Sequence, residues 1–231
     1  MWGNQHGQLD ALCGFARSRA NVLLEFKTKS RNVAYFQRAE IPPNVVLSWS
    51  LNAPVIIRDE EHFTATLEQR LDAARQVADL GIKVAFHFHP LVHFQGWEAD
   101  YSQVARQMMD RFTPEEVVFV SFGTMTFIKP VLKAIRERAW TSKVTQMELV
   151  PGAKGKLSYP APVKRALFGH LYQVLEPWHA RVFFYLCMER ADLWHATFGR
   201  AYDSNESFAA DLARHVRAKL TGTTAAVGHG V

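Results

Sequence analysis

Cysteine is almost missing from this chain: 231 residues contain only Cys13 and Cys187. Neither has a second cysteine at a zinc or cluster spacing, so these residues exclude a disulfide framework and a zinc ribbon, and the usage fits a reducing, cytoplasmic compartment. Long apolar runs are lacking too. None approaches the roughly 18 residues of a membrane span, and Met1 to Gln8 lacks the basic and then apolar layout of a secretion signal. The expectation is a soluble protein with no membrane partner. Nor is one sign of charge in large excess, since 27 Lys plus Arg oppose 22 Asp plus Glu for a net of +5. That balance permits contact with a phosphate backbone without requiring it.

What the chain does have is core: 48% of it is hydrophobic, enough to bury a single domain of α/β type. Four apolar runs each break into a polar cluster at their downstream end. LLEF runs into Lys27-Thr28-Lys29-Ser30, VVL into Ser48-Trp49-Ser50-Leu51-Asn52, VAF into His87-Phe88-His89-Pro90, and VVFV into Ser121-Phe122-Gly123-Thr124. Chemistry gathers at the carboxyl ends of parallel strands because the loops there surround one mouth. With helical segments between them, the runs predict an α/β fold, a partial (β/α) barrel of parallel strands.

Along the chain, Leu9, Leu12, Cys13 and Ala16 predict an opening helix over Gln8 to Arg17, followed by strands over Val22 to Phe26 and Val45 to Leu51. Ala53 to Ala65 reads as a long charged loop. Thr66 with Gln69 makes a capping box before the apolar stripe Leu67, Leu71, Ala74, Ala78 and Leu80, which Gly81 ends. Val84 to His89 is the third strand, stopped by Pro90, and Val117 to Phe122 the fourth. A helix begins at Lys129-Pro130, and the stretch PGAKGKLSYP reads as an exposed loop or hairpin. A further helix from Val163, the strand Val182 to Leu186 and helices near Ala191 to Phe198 and Glu206 to Leu220 follow. Residues 1–200 are expected to form the barrel, and 201–231 a helix and a disordered tail.

These motifs, in this order, carry a resemblance. From about Leu9 to Gly199 the chain resembles the carboxyl-terminal portion of the spore photoproduct lyase family of radical S-adenosylmethionine enzymes. The matching pieces are FKTKS, SWSLNA, TLEQRLDAARQVADLG, the strand that ends in proline and runs to QGW, FIKPVLKAIRER and YLCM. The resemblance implies a radical S-adenosylmethionine barrel, S-adenosylmethionine and a [4Fe-4S] cluster as cofactors, and thymine dimers in DNA as substrate. The family's CxxxCxxC motif has no counterpart here, and three thiolates are what would leave one iron open to the cofactor. The chain is therefore expected to be a fragment lacking the amino-terminal strands, with the cluster and the hydrogen-donor cysteine of an intact parent lying upstream.

By resemblance, Lys29, Ser50 and Asn52 are the contacts to S-adenosylmethionine; a lysine suits a carboxylate, and short polar side chains suit its other groups. His87 and His89 are expected to line the substrate side of the mouth. Lys154, Lys156 and Tyr159 fall where the repair enzymes carry a basic hairpin that enters the duplex, lysines for phosphate and the ring for the gap left by an extruded base. Two alternatives stand beside this reading. One is a metal-dependent barrel hydrolase in which His87 and His89 close on one ion, although the other strand ends offer Ser, Asn and Thr rather than further ligands. The other is a non-catalytic nucleic-acid-binding scaffold. Trp97 reads as a core anchor and Cys187 as a small hydrophobe in a buried strand.

Overall fold

The computed structural model describes residues 4–138, 142, 144, 147–152 and 155–221. Five strands form one parallel sheet: β1 (Leu24–Thr28), β2 (Val45–Ser50), β3 (Val84–Leu91), β4 (Val117–Thr124) and β8 (Phe183–Leu186), in the order β1-β2-β3-β4-β8. The sheet is open. Its edges are β1 and β8, so the parallel strands curve as part of a barrel that does not close.

Side chains alternate across a strand, and here the alternation separates apolar from polar. Phe26, Leu47, Trp49, Phe86, Phe88, Phe122 and Leu186 face one layer of helices and form the main core. That layer is α1 (Gln8–Arg17), α3 (Leu67–Ala78), α4 (Trp97–Arg111) and α6 (Ala161–Val174). Each such side chain contributes about 1.5–3 kcal/mol on burial. At the amino-terminal end of the other face, a second cluster packs Val46, Ala85 and Phe183 against Val216 of α8 (Asn205–Thr221). Above that cluster the inner face carries polar residues and opens to a cavity.

Most expected elements occur within a few residues of their sequence boundaries. The α3 capping box is complete: Gln69 N–H donates to Thr66 Oγ1 at 3.3 Å, and Thr66 N–H to Gln69 Oε1 at 3.1 Å. Two expectations need correction. The stretch Ala53 to Ala65 is not all loop, because α2 (Pro54–Glu60) forms there with proline at its start, where the missing N–H costs nothing, and buries Ile56 and Ile57. And β3 does not stop at Pro90. It continues to Leu91, with the pairing to β4 shifting register between Phe88 and Leu91.

The PGAKGKLSYP stretch is a hairpin of β6 (Val150–Pro151) and β7 (Leu157–Ser158), joined by β5 (Thr126–Phe127) in a small antiparallel sheet beside α5 (Lys129–Glu137). After β8 comes α7 (Ala191–Phe198). The expected disordered tail, residues 222–231, lies outside the described residues. Among those described, no helix is long and apolar enough to cross a membrane.

Candidate active site at the carboxyl edge of the sheet

The five strands end on one side, and the segments that follow them enclose a cavity of about 980 Å³. Its wall includes Lys29 after β1, Glu61 after α2, His89 on β3, Thr124 at the end of β4, and Cys187 and Glu189 after β8.

Glu61 organises one side. Lys29 Nζ donates to Glu61 Oε1 at 2.6 Å, Asn52 Nδ2 to the same oxygen at 3.1 Å, and Arg70 Nη2 to Oε2 at 2.6 Å. Arg70 is fully buried, and it also holds the Ser50 and Ala65 carbonyls, each at 2.8 Å, and Thr64 Oγ1 at 2.7 Å. Burial alone would raise the Glu61 carboxyl, but the Lys29 hydrogen bond and the Arg70 charge outweigh it and hold the group below its usual range. Lys29 is thus fixed in the cavity wall by a buried carboxylate.

Asn52, 0% exposed, is wholly engaged by the protein. Its amide also donates to the Pro90 carbonyl at 3.0 Å, while its oxygen accepts from Tyr101 Oη at 2.8 Å and from Ala53 N–H at 3.0 Å. Ser50 is buried on the inner face, opposite His87 in the β2–β3 register. Of the three expected cofactor contacts, only Lys29 lines the cavity, whereas Ser50 and Asn52 stand behind the wall.

Of the two histidines expected to line the mouth only His89 does; His87, buried at 3% exposure, shares its inner face but stands behind the wall, in a polar network that sequence reasoning missed. His87 Nε2 lies 2.6 Å from Glu25 Oε1 and its Nδ1 lies 2.6 Å from Ser121 Oγ. Ser121 Oγ is 3.2 Å from His89 Nε2, and His89 Nδ1 is 3.4 Å from Lys27 Nζ. Ser48 Oγ donates to Glu25 Oε1. Glu25 and His87 belong to strands on either side of β2, so the bridge crosses above it, and the small Ser48 leaves the room. Gly123 does the same beside His89: a Cβ there would stand 2.9 Å from His89 Nε2. Burial lowers both imidazoles, His87 against the pull of Glu25, and pushes His89 down to about 3. With both His87 nitrogens engaged, the pair cannot close on one metal ion as the hydrolase alternative requires. Among the described residues no group of three or more His, Cys, Asp or Glu side chains is arranged to hold a metal.

The hairpin differs from expectation at one residue. Tyr159 is 2% exposed, its hydroxyl accepts from His93 N–H at 3.3 Å, and burial pushes the phenol up to about 12. A ring packed into the core is not presented to a duplex. Lys156 lines a second cavity of about 440 Å³ together with Lys164, Arg190 and Glu189. Lys154 lies outside the described residues. Cys187 also departs from expectation, since it sits just past β8, half-buried, in the wall of the main cavity. Trp97 is buried at the start of α4, as its reading as an anchor requires.

A family model described as spore photoproduct lyase matches residues 5–155. The chain belongs to the spore photoproduct lyase family. It is 30% identical over 117 residues to the spore photoproduct lyase of Bacillus subtilis, covering 49% of this chain and 34% of that one. To the Clostridium acetobutylicum enzyme it is 24% identical over 94 residues, or 41% of this chain and 28% of that one. The chain therefore spans about a third of the length of these relatives. Solved spore photoproduct lyase structures share its fold. A double mutant with bound AdoMet and dinucleoside spore photoproduct superposes with a TM-score of 0.69 at 21% identity, covering 78% of this chain and 55% of that one. A complex with dinucleoside spore photoproduct gives 0.66 at 22% identity, with the same coverage.

Proposed function

We propose that this chain is part of a spore photoproduct lyase-like radical S-adenosylmethionine enzyme whose substrate is a thymine dimer in DNA. The observation that carries this reading is the cavity at the carboxyl edge, in a member of this family, with a lysine locked into its wall by a buried carboxylate. Its volume of about 980 Å³ lies at the upper end for small-molecule sites, with room for a cofactor beside a dinucleotide-sized ligand. The donor set suits S-adenosylmethionine, which bears a carboxylate and two cationic centres. Lys29 would meet the carboxylate, while Glu60 in the same wall supplies negative charge to the cationic side. Ser50 and Asn52 serve from behind, the first through the carbonyl held by Arg70 and the second by tying the β2 and β3 loops together. When bound, S-adenosylmethionine supplies the carbon radical of this chemistry.

The cluster does not fit these residues. Cys13 is buried on α1 and Cys187 lies in the cavity wall, so two separate thiols stand where three convergent ones are needed, and no step through iron is assigned to this chain. On the substrate side, His89 faces the ligand from the main cavity, and Lys156 in the adjoining groove is placed for phosphate, whereas Lys164 and Arg190 beside it are taken up by Glu189 and Asp192.

Titration calorimetry with S-adenosylmethionine tests the reading without iron. Lys29→Ala is expected to weaken binding about tenfold, a loss of about 1.4 kcal/mol. Lys156→Ala is expected to leave that affinity unchanged and to weaken binding of a short thymine-dimer duplex, more so at low salt. Equal affinity of the native protein and Lys29→Ala for the cofactor would refute the assignment.

A further inference from the structure

The main cavity and the smaller groove beside it share a wall. Thr126, Met188 and Glu189 line both the cavity of about 980 Å³ and the one of about 440 Å³. Two of the three are consecutive residues just past β8, with Cys187 before them in the main cavity and Arg190 after them in the groove. Thr126 of β5 pairs with Ser158 of β7, which brings the hairpin up to the same wall. Glu189 is the buried part of the divide: its side chain is 7% exposed, and Lys164 Nζ lies 2.8 Å from each carboxylate oxygen. Met188 is the crest. It is 84% exposed and takes a left-handed backbone, φ 57°, which an L side chain adopts only at a cost in free energy. An apolar side chain held in water between two hollows gains nothing until a ligand covers it.

We propose that the groove is a subsite for the nucleotide next to the lesion, with Met188 as the apolar divider against which its base stacks. The inference rests on the reading that the main cavity takes a nucleotide lesion, and it extends the bound segment by one residue. The size agrees, since about 440 Å³ lies at the low end for small-molecule sites and has room for one nucleoside rather than two. So does the lining, in which Val150, Pro151, Ala161 and Leu193 offer an apolar surface to a base.

Charge decides how the groove would hold its occupant. Lys164 is held by Glu189, and Asp192 takes Arg190 at 3.0 Å and Arg165 at 3.6 Å, so these groups cancel one another. Among the described residues no carboxylate pairs with Lys156. The groove is left with one unspent cation, which suits one phosphodiester. Methionine suits the crest, because its polarizable thioether packs on aromatic rings and an unbranched apolar side chain can lie between neighbouring bases. Stacking uses a face that every base has, so the subsite adds affinity and a preference for length without a preference for sequence.

Two measurements on the whole chain test it. In carbon-13 spectra of methyl-labelled methionines, deoxyadenosine monophosphate should move the Met188 signal upfield through the ring current of its base, and Lys156→Ala should abolish that shift. Met188→Gly, which keeps the left-handed backbone, identifies the signal by its loss. The second measurement compares a dinucleoside thymine dimer with the same lesion extended by one nucleotide at one end or the other. One of the two extensions should raise affinity about tenfold, within the worth of one stacked base, and in Met188→Gly that gain should shrink to about twofold. For the extended ligand, Lys156→Ala should reduce the slope of log affinity against log salt by about 0.7, the share of one phosphate. A Met188 signal that does not move, a shift that survives Lys156→Ala, no gain from either extension, or an equal gain in Met188→Gly would each overturn the subsite. A dinucleoside that fails to bind while the lone nucleotide still moves Met188 would count against the lesion reading and leave the groove standing. The reverse result would remove the groove alone.

Discussion

The two faces of the one sheet are made from the same strands, residue by alternate residue, and share almost no chemistry. Outward, Phe26, Trp49, Phe86, Phe88 and Phe122 pack under helices. Inward, Glu25, Lys27, Ser48, His87, His89 and Ser121 form the network that borders the cavity. The difference teaches where stability and chemistry reside. Because the side-chain period is two, a slip of one residue would bury the charged set under the helices and expose the aromatic one. The outer face therefore fixes the register, and the register is what places His87 opposite Ser50 and Ser121.

That contrast can be broken most directly at neighbouring positions. Phe86, fully buried under the helices, should lose about 3–5 kcal/mol as Phe86→Ala through lost transfer energy and the cavity left behind. Ser48→Ala on the inner face should cost about 1 kcal/mol, the worth of one hydrogen bond to Glu25. Urea unfolding of the two variants measures both. Equal losses would mean that the inner face contributes as much to stability as the outer. Gly123→Ala sharpens the comparison from the inner side. The added Cβ must displace the His89 ring from 2.9 Å, which should cost about 1–3 kcal/mol and shift the nitrogen-15 signals of His89. Unchanged His89 signals would show that the ring tolerates the methyl, and that the glycine does not set its position.

The outer face was legible in the sequence and the inner one only in part, for a physical reason. Apolar periodicity and caps are local, so α1, α3 and the parallel strands could be read from spacing alone, as could the hairpin from its Gly and Pro residues. The strand-end clusters marked the rim for the same reason. Three things lay beyond local pattern. Short α2 hides because two buried isoleucines among Arg, Asp and Glu make no stripe. Arg70 reads as one more helical charge, and only the fold brings it to Glu61 and the Ser50 carbonyl. Glu25 and Lys27 alternate with Phe26, a signal of an inward polar face, but their partner His87 is contributed by a strand two positions away in the sheet. Tyr159 failed for the opposite reason, since an aromatic ring in a loop-like stretch says nothing of which side the hairpin packs.

The smallest expected effect sits on the outer side, at the amino-terminal end of the strands, far from the cavity. There Arg75 of α3 pairs with Glu116 just before β4, stacks on Phe112 at 4.9 Å and also holds the Arg111 carbonyl at 2.8 Å. The Arg75 hydrogen bond, aided by the backbone N–H of Thr113, holds the Glu116 carboxyl down at about 2, against an ordinary value of 4.5. A carboxyl lowered on folding adds stability that is complete above the unfolded value and is lost as the pH falls toward the folded one. The native protein should therefore weaken between about pH 4.5 and 2 by an amount that Glu116→Gln does not lose. With both side chains partly exposed and screened, the difference should be no more than about 1 kcal/mol. Thermal unfolding of the two proteins across that range measures it, and parallel curves would show that this pair, unlike the buried Arg70–Glu61 pair at the cavity, adds nothing to the outer layer.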